Sequence, residues 1–70
     1  MTTLLLQADP GRENEVASHV LSLPAVAEAV LTSGPYDVIA HVDPDADVAS
    51  AIASVKKVPG LSRLCVCRTS

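Results

Sequence analysis

Thr32-Ser33-Gly34-Pro35-Tyr36-Asp37 separates two apolar runs, Val26 to Leu31 and Val38 to Val42. Ser-Gly-Pro is turn chemistry: glycine takes positive φ at no steric cost, and proline fixes φ while donating no ladder hydrogen bond. Two apolar runs of strand length around such a turn predict a β-hairpin with a tip of two to five residues. Tyr36, the one aromatic residue of the chain, lies in this turn and is followed at once by an acid, Asp37. Any ligand site is expected here.

Outward from the hairpin, each flank repeats one pattern. Thr2 to Ala8 reads as a strand in which Leu4, Leu6 and Ala8 share one face and Thr3, Leu5 and Gln7 the other. Asp9-Pro10-Gly11 then reads as a helix start, with Asp9 as N-cap, Pro10 in the first turn, and Glu13 and Glu15 near the positive dipole end. Val16, Ala17, Val20 and Leu21 form its apolar stripe. Leu23-Pro24 ends it, since the residue before proline is pushed out of the α region.

In the second strand, from Val26 to Thr32, Ala27, Ala29 and Leu31 alternate with Val26, Glu28, Val30 and Thr32. In the third, Val38, Ala40 and Val42 alternate with Ile39 and His41. Asp45 or Asp47 caps a second helix, whose buried side is expected to comprise Val48, Ala49, Ile52, Ala53 and Val55. Lys56 and Lys57 suit its negative end. Val58-Pro59-Gly60 breaks it, and Leu61 to Arg68 forms the last strand.

The order β-α-β-β-α-β is the split βαβ of ferredoxin-like folds, a four-stranded antiparallel sheet with two helices on one face. The strands carry apolar residues on both faces, so the face without helices needs a cover, and sheet-on-sheet dimerisation supplies one. Size argues the same way. Seventy residues, read as one domain over 1–70, bury only roughly 60–65% of the unfolded surface. The core is built of Ala, Val and Leu, without Phe or Trp.

The formal net charge is −3, and the five basic residues are scattered apart from Lys56-Lys57, so no stripe is present to neutralise phosphates. No apolar run reaches membrane-spanning length, and Leu4-Leu5-Leu6 is too short for a signal segment. The chain reads as soluble and cytoplasmic, contacting neither nucleic acid nor membrane. Cys65 and Cys67 read as two small buried hydrophobes, since residues two apart in a strand are badly placed for a mutual disulfide. The aspartates between Asp43 and Asp47 lack the glycine and glutamate of a calcium loop. Neither metal nor cofactor is expected.

Several motifs now stand in one order: Asp9-Pro10-Gly11 with Glu15-Val16, then Leu23-Pro24-Ala25-Val26, Ser33-Gly34-Pro35-Tyr36-Asp37-Val38, and Val58-Pro59-Gly60-Leu61. In this they resemble the effector-binding domain of the Lrp/AsnC family of feast/famine transcription regulators, also called the regulation-of-amino-acid-metabolism domain. The resemblance covers nearly the whole chain. It implies a ferredoxin-like sandwich that dimerises through its sheets, with dimers assembling further, often as a ring. It also implies that an amino acid or related small molecule binds between dimers, with Ser33, Gly34, Pro35, Tyr36 and Asp37 lining the pocket. The family's usual helix-turn-helix is not among these residues, so a stand-alone effector domain is implied, one able to mix with full-length regulators. Leu64 and Val66 stand where the family often carries ligand-facing threonines.

Three functions compete. The first is a non-catalytic sensor at a subunit interface. The second is an oligomerisation scaffold whose inter-dimer groove is filled by Leu64, Val66 and their neighbours. The third is a small cofactor-free enzyme, which would need His41 and Tyr36 together in a cleft.

Overall fold

The computed structural model describes residues 2–68. The elements are β1 (Thr2–Ala8), α1 (Glu13–Leu21), β2 (Val26–Leu31), β3 (Val38–Val42), α2 (Val48–Val55) and β4 (Leu61–Arg68). The strands form one antiparallel sheet in the order β2-β3-β1-β4. This is the ferredoxin-like α+β arrangement. No helix among the described residues is long and apolar enough to cross a membrane.

Alternation in β1 decides what lies where. Leu4, Leu6 and Ala8 are buried under the helices, together with Val38, Ala40 and Val42 of β3. Val16 and Val20 from α1, and Ala51 and Val55 from α2, close this core. Thr3, Leu5 and Gln7 face the other way and are only half-buried.

Helix α1 begins later than Asp9-Pro10 suggests. Asp9, Pro10, Gly11 and Arg12 form a turn closed by the Arg12 N–H donating to the Asp9 carbonyl at 3.0 Å. Gly11 has φ of +82°. Proline followed by a positive-φ glycine is the pattern of a type II turn, and that backbone cannot continue into a helix. The helix therefore starts at Glu13, and its N-cap, Arg12, makes no side-chain capping bond. Arg12 instead pairs with Glu15 at 3.1 Å on the surface. Hydrogen bonding and charge from Arg12 hold the Glu15 carboxyl below its ordinary pKa, and Glu15 holds Arg12 above its own. A lowered carboxylate pKa gives stability that is present at neutral pH and lost as pH falls through it. Both groups are open to solvent, so Glu15→Gln is expected to leave the neutral-pH melting temperature unchanged.

In β2 the face assignment changes along the strand. Val26 pairs with Val42 and Glu28 with His41, so two steps on β2 match one on β3 and Ala27 is the extra residue of a bulge. The bulge takes Val26 into the core while Glu28 stays on the open face, although simple alternation would put the two together. Ala29 and Leu31 register with Ala40 and Val38, on the helix side.

Helix α2 starts as read: the Asp47 carboxylate caps it by accepting the Ala49 N–H at 3.2 Å. Its buried side is rotated from expectation, with Ala51 in the core and Ala49 and Ala53 exposed. A helix of Ala, Val, Ser and Ile is apolar on most sides, so periodicity alone does not fix its inward face. Leu21, expected in the α1 stripe, is 54% exposed at the helix end.

Candidate functional site

The turn after β2 is closed by two bonds: the Thr32 N–H donates to the Asp37 carbonyl at 2.9 Å, and the Thr32 Oγ1 to the Tyr36 carbonyl at 2.7 Å. The tip is thereby residues 33–36, with Gly34 at φ +128°. Ser33, Gly34 and Pro35 are exposed, and Tyr36 and Asp37 are half-buried. The five residues are contiguous in the structure as in the sequence.

Asp37 ties this turn to the end of β1. Its N–H donates to the Leu6 carbonyl at 2.9 Å, and its Oδ2 accepts the Ala8 N–H at 2.8 Å. The β1–β3 pairing ends at Leu6 and Val38, so the Ala8 amide on that side takes the Asp37 carboxylate instead of a ladder partner. Leaving a buried N–H unpaired costs about 1–3 kcal/mol. Asp37→Ala is accordingly expected to lower folding stability by about that much, read by urea denaturation, whereas Asp37→Asn keeps an acceptor and loses less.

The open face of the sheet is ordered by register. Val30, Ile39, Leu5 and Cys65 stand opposite one another on successive strands, giving an apolar row four strands wide. Below it runs the row Glu28, His41, Thr3 and Cys67. Thr3 Oγ1 and His41 Nδ1 are 3.1 Å apart. Cys65 is half-buried and Cys67 exposed, and both thiols are free. The reading of both as buried hydrophobes is thus corrected: they lie on the face that the helices do not cover. Leu64 and Val66 register with Leu6 and Leu4, towards the helix side, where Val66 is 37% exposed. His41 lies on the open face beside Thr3, and Tyr36 lies in the turn that precedes β3. No three acidic, histidine or cysteine side chains among the described residues form a metal-sized cluster.

Two open depressions lie elsewhere, at the C-terminal ends of the helices. One is lined by residues including His19, Ser22, Ser54 and Lys57, the other by Ser18, His19 and Ser22. The turn contributes to neither. Sequence reading had no signal for the first, since it arises from the packing of two helix ends distant in the chain.

This architecture, helices on one side and a partly apolar sheet face on the other, is that of a ferredoxin-like α+β domain. No family model matches the chain, and no curated protein matches it. Solved structures do. It is similar to FFRP-DM1, with 29% identity and a TM-score of 0.84 over 94% of this chain and 92% of that one. It is similar to hypothetical protein PHS023 from Pyrococcus horikoshii, with 30% identity and a TM-score of 0.82 over 96% and 87% of the two chains. Escherichia coli AsnC shares its fold at 17% identity and a TM-score of 0.77, over 94% of this chain and 47% of AsnC. The chain spans about half the length of AsnC. In fold the chain resembles the regulation-of-amino-acid-metabolism domain of the Lrp/AsnC family.

Proposed function

We propose that the chain is a non-catalytic, ligand-sensing module that works as a homodimer through its open sheet face, and as a higher assembly of dimers, in the cytoplasm. The observation that carries the dimer is the row Val30, Ile39, Leu5 and Cys65, an apolar band with no cover from its own chain. Burying such a band is favourable at about 25 cal/mol per Å². The effector is an amino acid or related small molecule held at residues 33–37, with exposed backbone groups at the glycine turn meeting an α-carboxylate. One Asp37 oxygen holds the Ala8 amide. An ionised carboxylate has about four acceptor sites, so Asp37 keeps capacity for an α-ammonium. Output passes through assembly, with full-length regulators of the family as partners.

A thermal-shift panel of the twenty amino acids and common metabolites at millimolar concentration tests this reading. A ligand at about 100 times its Kd adds roughly 2.7 kcal/mol. One compound should raise the melting temperature, and Asp37→Asn, which retains the acceptor for Ala8, should abolish that rise. A second reading, an oligomerisation scaffold without ligand, is favoured by one fact: Asp37 already has a structural partner. A panel with no shift would establish the scaffold over the sensor.

A further inference from the structure

The depression between the two helix ends is a cleft of about 300 Å³, at the lower end of the range for small-molecule sites. Its walls are the turns that follow α1 and α2, and its apolar floor includes the buried Val58 and the half-buried Leu23. Backbone bonds fix both turns. The Leu23 N–H donates to the Val20 carbonyl at 3.1 Å, and the Val58 N–H to the Val55 carbonyl at 3.0 Å. Pro24 and Pro59 come next in the chain, and proline keeps either helix from running on. The cleft is therefore formed before any ligand arrives.

Hydrogen-bond donors make up its rim. His19, Ser54 and Lys57 line it, and no acidic side chain among the described residues does, although the chain as a whole has a net charge of −3. Ser22 already donates its hydroxyl to the His19 carbonyl at 2.6 Å. Among the described residues, the Lys57 ammonium, the His19 ring and the Ser54 hydroxyl make no side-chain hydrogen bond or ion pair. Helix α2 ends at Val55 with Lys56 as its C-cap, so Lys57 stands one residue past the cap. Lys57 lines the cleft and Lys56 does not. The helix dipole attracts both lysines alike and leaves that difference unexplained. We infer that this cleft is a second binding site, taking a small organic oxyanion: a carboxylate or phosphate ester on a short apolar body. The Lys57 ammonium meets the negative headgroup in a charge-assisted contact. The His19 ring N–H and the Ser54 hydroxyl supply further donors, and Leu23 and Val58 take the apolar part.

This site shares no residue with the turn at 33–37 and does not depend on the effector reading. The test is a proton–nitrogen correlation NMR titration at neutral pH with isovalerate, isobutyl phosphate and the uncharged isovaleramide, with circular dichroism confirming the fold of each variant. Either anion at millimolar concentration should shift the backbone amides around His19 and Lys57, and isovaleramide should not. The anion with the lower Kd identifies the headgroup. Lys57→Met should raise that Kd about tenfold or more, the loss of one charge-assisted contact. Lys56→Met should leave it within about twofold of wild type, since a solvated charge outside the cleft is largely screened. Equal losses from the two lysine variants would reduce the effect to diffuse charge attraction and overturn the site. Isovaleramide binding as well as isovalerate, or neither anion moving these amides, overturns it too. Shifts confined to residues 33–37 would overturn this inference while leaving the effector reading in place.

Discussion

Leu6→Ala should lower folding stability by about 2–5 kcal/mol, the range for truncating a fully buried leucine and leaving a cavity. Leu6 has no exposed surface and sits between Val38 and Leu64 in the sheet. Native domains hold about 0.05–0.15 kcal/mol per residue, so the loss is a large share of the total for a chain of 70 residues. The melting temperature should fall roughly 10 °C or more. Urea denaturation with an unchanged m-value is the check. A change below about 1 kcal/mol would mean that Leu6 is not a core residue.

Leu5, its neighbour, should behave in the opposite way. It stands at the middle of the open apolar row, between Ile39 and Cys65. Leu5→Asp is expected to leave the secondary structure in place and to abolish dimerisation, because it sets an unpaired charge from each copy into the interface centre. The separated chain should then melt lower than wild type, and the wild-type melting temperature should rise with concentration, as binding linkage requires. Sedimentation of Leu5→Asp against Leu5→Ala reads the effect. A Leu5→Asp chain that still dimerises would move the interface off this face.

These two leucines also show where the sequence was informative. Leu4-Leu5-Leu6 puts apolar side chains on both sheet faces, and period two is unambiguous in a strand, so both the core and the exposed row were legible. Asp9-Pro10 looked like a helix start because capping residues and turn residues are the same types. Gly11 at positive φ was the deciding residue, and its conformation depends on where the chain must go next. Ala27 gave no local sign of a bulge. The extra residue follows from the need to bury Val26 while Glu28 stays on the open face. For α2, side chains apolar on most sides left its rotation to packing against the sheet. The turn at 33–37 was legible as a turn, whereas the bond from Asp37 to Ala8 spans 29 positions of sequence and follows from β1 and β3 lying side by side.

The most direct measurement is the solution mass of the wild-type chain by sedimentation equilibrium across a concentration series. The account predicts a particle of at least twice the 7.2 kDa chain, reduced to one chain by Leu5→Asp. A wild-type chain that remains at the single-chain mass at every concentration would contradict it.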